Sequence, residues 1–515
     1  MPDAPTFPGI YVEELPVGAH AVAGVETSVA AFIGMARQGP SDTPVDVRSW
    51  TEFERWFGAL WRRSPMTYAV NQFFQNGGTH AVIVRVVNGG GVATVAVGTL
   101  RLAAASAGEW GEHLRVRVDH GAQPPTRGRK TFILTIRDTE ANVTERFPDL
   151  SVSPAHPRFV GRILEQESTL VRVVAVGTTR PRALPATAGT DPMLAAPGSI
   201  AFNSDGDDGA TIGDAGVSDS RLQASRCGLW ALEQADLFNL LAVPPFEFGA
   251  DITAQTRNAA AEYCRTRRAF FIADPLLAWT RPSDVTGSGG LASAAWGLAA
   301  TPDAAVYFPR LRAADPLQNG GLTDFAPCGA VAGIYARTDA QHGVWKAPAG
   351  TGATMVGVSA LAASVTDAEC SQLSSAGVNC LRSFRGADHL VWGARTLCGN
   401  SASASEWKYI PVRRLALYIE ESLYRGLQWV VFEPNDEALW TAIRQAVEAF
   451  LHERFREGAF QGSSPRDAYF VKCDRQTTSQ ADIDAGLTTV VVGFAPLRPA
   501  EFVLLNLALR VGTPP

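Results

Sequence analysis

The sequence predicts an α/β (α+β) multidomain protein with a β-rich insertion and an extended strand arm at each end. Three observations favour this fold class. The chain has 515 residues and is 46% hydrophobic, which is enough to bury more than one core. Helical and strand patterns alternate in two separated parts, residues 23–90 and 225–395, as in an α/β layer. Between these parts, residues 91–224 change to alternating strands bordered by Gly-rich segments.

Strand and helix signals follow each other closely in the first part. Residues 28–34 form a predicted buried strand, and a capping box at Ser49 or Thr51 predicts the start of a helix. A second helix is predicted from Ser64-Pro65 onward, and it ends at Asn76-Gly77-Gly78, where the glycines are a C-terminal signal. The continuous apolar run at residues 81–87 is typical of a strand covered on both faces.

The pattern changes after residue 88 and returns after residue 224. Within the insertion, strands are predicted at residues 114–118, 131–137 and 170–176. The α/β pattern then resumes, with strands at residues 237–243, 269–273, 304–311 and 378–382 and a helix at residues 259–268.

The last region contains an amphipathic helix at residues 436–457. Asp436 and Glu437 lie in its first turn, where the helix dipole favours acidic side chains. Its apolar positions share one stripe, formed by Trp440, Ile443, Val447, Phe450 and Leu451. Its polar positions are Arg444, Glu448, Glu453, Arg454 and Arg456. Strands are predicted after it at residues 469–473 and 487–494.

Both chain ends contain strand-forming runs without a partner strand of their own. Near the start, Ile10, Tyr11 and Val12 are followed by Glu13 and Glu14. Near the end, one face of a strand carries Val503, Leu505, Leu507 and Leu509. The predicted organisation is a linker arm (1–22), a middle α/β domain (23–90 and 225–395), an inserted β-rich domain (91–224), a further domain (396–500) and a strand arm (501–515).

Composition and charge exclude several classes of protein. With 45 Lys and Arg against 51 Asp and Glu the net charge is −6, whereas a nucleic-acid-binding protein needs a basic face. Residues 1–16 are acidic and Pro-rich, unlike a secretory signal, and no run approaches the ~18 apolar residues of a membrane span. The seven cysteines lack disulfide or metal-ligand spacing, which indicates reduced thiols in a protein made in the cytoplasm.

Sequence motifs of enzyme chemistry are missing, so we expect no catalytic residue and no cofactor. Gly350-Thr351-Gly352 has Met355 where the third glycine of a phosphate loop would stand, and we interpret it as a turn. The acidic segment at residues 205–209 has no closing Glu of a calcium loop. We interpret it as a mobile surface loop, and we expect no metal site.

Several long segments instead match one family in the same order along the chain. They are residues 8–14 (PGIYVEE), 343–350 (GVWKAPAG), 391–396 (VWGART), 406–414 (EWKYIPVRR), 432–437 (FEPNDE), 471–474 (VKCD) and 493–496 (GFAP). The chain thereby resembles the sheath subunits of contractile phage tails, R-type bacteriocins and extracellular contractile injection systems. Residues 91–224 match poorly, and the resemblance implies that they are the variable outer domain of this family. It likewise implies that residues 396–500 are the inner sheath domain.

The resemblance implies a structural function without nucleotide or metal. Six subunits form a ring around an inner tube, rings stack helically, and contraction drives the tube through a target envelope. The implied partners are other copies of the chain, an inner tube protein, and baseplate and tail-terminator proteins. Nucleic acid and membrane insertion are not implied. The implied setting is assembly in the bacterial cytoplasm into a phage tail or tail-like particle.

The resemblance also implies two kinds of site residue. The subunit-linking arms, which add to a neighbour's sheet, contain Ile10, Tyr11, Val12, Glu13, Glu14, Val503, Leu505, Leu507 and Leu509. The helix at residues 436–457 faces the tube, through Arg444, Arg454 or Arg456.

Alternatives remain open at this level. Arg454 and Arg456 could pair within their helix on a solvated face, with Glu448, Glu453 or Glu457. Arg413, Arg414, Glu420 and Glu421 could likewise pair locally or contact another subunit. For the whole chain, the alternatives are an enzyme of unknown reaction on an α/β scaffold and a self-assembling capsid or surface-layer protein.

Overall fold

The computed structural model describes residues 21–120, 131–186, 189–384, 387–402 and 405–501. They form two compact units. The α/β unit comprises residues 28–341 and 348–410, and the terminal unit comprises residues 342–347 and 411–501 together with residues 21–27. The predicted arm residues lie outside the described part of the chain; they are Ile10, Tyr11, Val12, Glu13, Glu14, Val503, Leu505, Leu507 and Leu509.

The α/β unit contains the first eighteen strands. They are β1 (Ala30–Gly34), β2 (Val45–Val47), β3 (Ala81–Arg85), β4 (Thr94–Val97), β5 (Leu100–Ala104), β6 (Leu114–Asp119), β7 (Phe132–Asp138), β8 (Val143–Leu150), β9 (Val171–Val176), β10 (Ile200–Ala201), β11 (Leu240–Ala242), β12 (Phe270–Ala273), β13 (Ala304–Phe308), β14 (Leu311–Asp315), β15 (Gly321–Phe325), β16 (Ala360–Leu361), β17 (Asn379–Phe384) and β18 (Ala387–Trp392).

Helices of both units complete the fold. In the α/β unit they are α1 (Trp50–Phe57), α2 (Pro65–Gln75), α3 (Val160–Glu167), α4 (Asp214–Val217), α5 (Ala254–Thr266), α6 (Pro282–Thr286), α7 (Cys328–His342) and α8 (Asp367–Ser375). The terminal unit contains α9 (Ile410–Gly426), α10 (Glu437–Arg456), α11 (Pro465–Ala468), β19 (Tyr469–Lys472), α12 (Gln480–Asp484) and β20 (Val491–Phe494).

An eight-stranded sheet lies at the centre of the α/β unit, in the order β18-β17-β13-β12-β11-β1-β3-β2. The six inner strands are parallel, and an antiparallel strand closes each edge. Every residue of β1, β3, β12 and β13 is buried. Strands buried on both faces read as continuous apolar runs, which is why the sequence located them correctly.

Helices cover both faces of this sheet. Residues of one strand face, including Ala31 and Phe271, share a core with α5 and α8. The opposite face packs against α2 and α7, as the ring contacts Phe32–Phe73 at 5.5 Å and Phe270–Tyr335 at 6.3 Å show. The unit is therefore a layered α/β fold.

Helix α7 was not predicted, because ten of its fifteen residues are buried and it has no polar stripe. Two glycines let it lie against α2. A Cβ atom on Gly329 would stand 2.2 Å from the Ala69 carbonyl oxygen, and one on Gly333 would stand 2.5 Å from the Phe73 carbonyl oxygen. Only glycine permits this approach of the two backbones.

The β-rich region forms two sheets, β10-β6-β7-β8 and β4-β5-β9, around a core of their own. Its chain ends are adjacent, since the Gly91 amide donates to the Asp207 carbonyl at 3.0 Å. The acidic segment at residues 205–209 is more ordered than expected. Asp208 is buried, pairs with Arg63 at 3.2 Å and accepts from the Glu109 amide at 3.0 Å. A carboxylate with these partners fixes the loop to the fold.

Several predicted boundaries differ from those observed. Ser49 is the N-cap of α1, accepting from the Glu52 amide at 3.1 Å. Helix α5 starts five residues before its predicted position because Thr253 caps it. The main segment of the compact terminal unit begins at Pro411. The chain before it bonds to the large sheet, where the Leu397 amide donates to the Ala304 carbonyl at 2.9 Å. Within the described ranges, every helix is too short or too polar to cross a membrane.

A buried carboxyl group lies at the carboxyl end of the parallel sheet. Asp274 follows β12 directly and accepts from the Cys328 amide at 2.9 Å, at the start of α7. Burial raises the pKa of Asp274 from 3.8 to about 6, against the opposing effects of Cys328 and Arg310. Folding thus favours the protonated form. Its contribution to stability is present below about pH 4 and is lost as the pH rises to about 6.

We predict that Asp274→Asn removes this pH dependence, because the amide keeps the acceptor oxygen and cannot ionise. Relative to the unmodified protein, the variant should gain up to about 3 kcal/mol in unfolding free energy between pH 4 and pH 7. Denaturant or thermal unfolding of both proteins across this range measures the difference. A stability difference that stays constant with pH would contradict the prediction.

Candidate interaction surfaces

Helix α10 presents the predicted polar face. Asp436 caps it by accepting from the Leu439 amide at 2.9 Å. Its buried stripe confirms the predicted apolar positions and adds one residue; the members are Leu439, Trp440, Ile443, Val447, Phe450 and Leu451. They pack in the core of the terminal unit with residues of α9, including Leu415 and Ile419.

The three predicted tube-facing arginines occupy different environments. Arg454 is largely buried, with 14% of its side chain exposed, and donates to the Tyr418 hydroxyl of α9 at 2.8 Å. It also pairs with Glu453 and Glu457 and lies over the ring of Phe450. These contacts join α10 to α9. Arg454 is therefore a packing residue of the terminal unit, whereas the sequence had treated it as a surface residue.

Arg444 is also engaged within the unit. It donates to the Cys473 carbonyl after β19, contacts the Thr441 hydroxyl at 2.8 Å and pairs with Glu437 at 3.3 Å. The side chain of Arg456, by contrast, is exposed and makes no hydrogen bond or ion pair with the described part of the chain. The exposed row of α10 that contains it also carries Gln445, Glu448, Ala449 and His452.

The charged residues of α9 pair locally. Arg413 lies 3.4 Å from Glu420, and Arg425 lies 2.6 Å from Glu421. Arg414 donates to the Thr27 carbonyl at 2.8 Å. These bonds hold residues 21–27 along α9, and the Val25 amide adds a bond to the Ser422 hydroxyl at 3.2 Å.

Strands β19 and β20 form a two-stranded antiparallel sheet. No third strand of the described residues pairs with either outer edge. Phe470 and Val491 on this sheet are exposed. Unpaired edges present a row of backbone donors and acceptors that can template another strand. A two-stranded sheet is also marginally stable alone.

An apolar loop beside α10 was missed by the sequence analysis. Phe432 is fully exposed and has a φ of 74°, which is strained for an aromatic residue. Val431 and Leu487 are exposed as well. Asn435 connects these loops, donating to the Leu487 carbonyl at 2.9 Å and accepting from the Trp440 indole at 2.8 Å. The available signal was an apolar run, residues 430–432, which is separated from Pro434 only by Glu433.

The described residues hold no group of side chains that could bind a metal ion. No group of three or more His, Cys, Asp or Glu side chains comes together in these ranges. The segment at Gly350–Gly352 forms a turn, where the Gly350 amide donates to the Val391 carbonyl at 2.9 Å. All seven cysteines are free, five of them buried.

We predict that Arg454→Ala destabilises the terminal unit by about 1–3 kcal/mol, because it removes a buried charged donor and leaves the Tyr418 hydroxyl without its partner. Arg456→Ala is the matched control on the same turn, and should change stability by less than about 0.5 kcal/mol. Thermal unfolding of both variants provides the measurement. Equal effects of the two substitutions would show that the contact with Tyr418 does not stabilise the terminal unit.

Two family models match the chain. The phage tail sheath protein central domain matches residues 237–397, and the phage tail sheath C-terminal domain matches residues 402–510. Among curated proteins, the tail sheath protein of Vibrio phage KVP40 is 26% identical over 179 residues, which is 35% of this chain. That match spans only 25% of the length of the KVP40 protein.

Solved sheath structures share the fold over nearly the whole chain. The sheath of the PVC extracellular contractile injection system, in the contracted state, is 22% identical with a TM-score of 0.58, covering 99% of both chains. The contracted helical sheath of the anti-feeding prophage is 20% identical with a TM-score of 0.57, covering 98% of this chain and 99% of that one. The sheath tail protein from Listeria innocua is 13% identical, with a TM-score of 0.60 and coverage of 93% and 96%.

The relatives are structural proteins and not enzymes, and both matched domains lie in the order of the motifs that the sequence analysis identified. This chain belongs to the contractile tail sheath family.

Proposed function

We propose that this chain polymerises as stacked hexameric rings around an inner tube, and that contraction of the polymer drives the tube through a target envelope. Membership of the sheath family supports the structural function. The observation that carries the assembly mechanism is the open β19–β20 sheet. The other partners in this proposal are baseplate and tail-terminator proteins, and assembly takes place in the bacterial cytoplasm.

Strand exchange completes the open sheet in this mechanism. Residues 21–27 are held along α9, so the preceding residues 1–20 start from the terminal unit. Fully extended, they span up to about 65 Å, which is enough to reach another subunit. Residues 502–515 continue from the same unit after β20. We propose that the two arms of neighbouring subunits pair with the two open edges.

Strand exchange suits a contracting lattice. One added strand makes roughly four or five backbone hydrogen bonds of about 0.5 to 1.5 kcal/mol net each. A single junction is thus modest, and repetition along the lattice makes the tether strong. The contact is heterologous, which generates helical polymers and not closed dimers. Subunits can then rotate as rigid bodies while the arms stay paired.

We predict that deletion of residues 1–20 yields a folded protein that cannot assemble an extended sheath, because the open edge of the neighbour keeps no partner. Sedimentation and negative-stain imaging measure assembly, and circular dichroism confirms folding. Tyr11→Pro removes a ladder donor and should act similarly, whereas Tyr11→Phe keeps the donor and serves as the control. Striated full-length sheaths from the armless protein would eliminate strand exchange.

The exposed row of α10 is the proposed contact to the inner tube. Since Arg444 and Arg454 are engaged within the terminal unit, Arg456 is the predicted residue that remains available. We predict that Arg456→Glu lowers co-sedimentation of the tube protein several-fold and leaves the fold intact. Arg475→Glu, an equal charge change at an exposed position outside α10, is the control. Equal tube loading in both variants would remove Arg456 from the interface.

The β-rich region is proposed to be the inserted outer domain. Its separate core and its adjacent chain ends support this interpretation. The domain boundaries at residues 91 and 224, and the position of this domain on the outer surface of the sheath polymer, remain predictions.

A further inference from the structure

Two cysteines that are ten residues apart are brought together by the packing of α8 on β17. Cys370 lies in α8, and Cys380 lies in β17. Interaction between the two thiols shifts the pKa of each of them. The Cys380 sulfur is also 3.9 Å from the Cys370 carbonyl oxygen. Both residues belong to the core on that face of the large sheet, together with Leu373 and Val378.

A second contact between the same two elements fixes their register. Arg382 is two residues after Cys380 and therefore on the same face of β17. It pairs with Asp367, one helical turn before Cys370, at 2.7 Å. The Val378 amide donates to the Leu373 carbonyl at 2.9 Å and closes the turn between helix and strand. The thiols are thus held in place from both sides.

The surroundings of the pair favour a thiolate on one sulfur. The hydrogen bond from the Cys380 thiol lowers the pKa of Cys370 to about 7, and the positive charge of Arg382 acts in the same direction. The Asp367 carboxylate opposes this shift. The same hydrogen bond and burial raise the pKa of Cys380 well above its ordinary value. Cys370 is therefore the attacking sulfur and Cys380 the proton donor.

The other cysteines lack this arrangement. Burial raises the pKa of Cys264 and Cys328 well above the usual range, so they stay protonated. Burial also raises the pKa of Cys398 and Cys473. The pKa of Cys370, by contrast, is lowered. Thiolate character controls thiol reactivity.

We propose that Cys370 and Cys380 are a redox-active dithiol that closes to an intrachain disulfide by exchange with a low-molecular-weight disulfide such as oxidised glutathione. The pair stays reduced in a cytoplasm that keeps thiols reduced, and closes when disulfide is in excess. The disulfide ties α8 to the large sheet. This inference does not depend on the proposed function.

The exchange proceeds in two balanced steps. The Cys370 thiolate attacks one sulfur of oxidised glutathione, which breaks the glutathione disulfide and releases one glutathione thiolate that takes a proton from water. The Cys380 sulfur then attacks the Cys370 sulfur, and its proton passes to the second glutathione thiolate as the mixed disulfide breaks. The second glutathione leaves. Two protein thiols are oxidised, and one glutathione disulfide is reduced to two thiols.

Mass spectrometry of the full-length protein tests this proposal. The reduced protein is incubated with oxidised glutathione at neutral pH, alkylated, digested and mapped. We expect a cross-linked peptide that joins Cys370 to Cys380, and a free thiol count that falls by two under denaturing conditions. A glutathione adduct that persists on Cys370, or no change at either residue, would overturn the proposal.

Cysteine variants and timed alkylation provide two further tests of the proposed dithiol. Cys370→Ser and Cys380→Ser should each lower the rate of thiol loss at least tenfold, while Cys264→Ser should leave it unchanged. If a variant does not fold, timed iodoacetamide labelling of the unmodified protein still decides the question. Cys370 should label before Cys264 and Cys328. Equal labelling rates at the three residues would contradict the assigned thiolate.

Discussion

The large parallel sheet has to be covered on both faces, and most of the α/β unit follows from this constraint. Strands β1, β3, β11, β12 and β13 are buried along their whole length, so helices must supply apolar surface on both faces of the sheet. On one side this requirement brings α7 so close to α2 that Gly329 and Gly333 leave no room for a side chain. On the other side it places α8 over β17, which brings Cys370 and Cys380 together. A tight helix contact and a candidate redox site thus have the same physical origin.

In the terminal unit, by contrast, the small sheet has edges that no other described strand covers. Strands β19 and β20 pair only with each other among the described residues, and apolar side chains such as Phe470 and Val491 are exposed on them. Exposed apolar residues and open strand edges are costly in a soluble monomer, so natural proteins usually cover or charge them. In the proposed assembly, the arms of neighbouring subunits pair with these edges. The fully exposed Phe432, with its strained backbone, belongs to the same unit.

Arginine has a consistent structural use in this chain, in which only four of the 45 basic residues are lysine. The buried Arg85 donates to the carbonyl groups of Ala36, Gly39 and Ala107, and so joins β3 to neighbouring loops. Burial lowers its pKa to about 10, yet it remains charged at neutral pH. Arg454 connects two helices in the same manner. The guanidinium group suits this use, because several donors in a rigid plane can satisfy separate acceptors at once. Charge on a helix face is therefore insufficient to identify an interface.

The sequence by itself determined the family, the α/β class and most strands of the large sheet, because continuous apolar runs, caps and long motifs are local properties of the chain. It also located α10 and its buried stripe, since helical periodicity can be read over twenty residues. Only the tertiary structure decided which polar side chains bond within the fold and which are exposed. The sequence placed Arg454 with Arg456 on one polar face. In the structure Arg454 donates to the hydroxyl of Tyr418, which lies thirty-six residues earlier in the chain. The sequence did not predict helix α7, because a helix that is buried on nearly all sides has no amphipathic pattern. Pairing between distant residues depends on how the elements pack, which spacing along the chain does not encode.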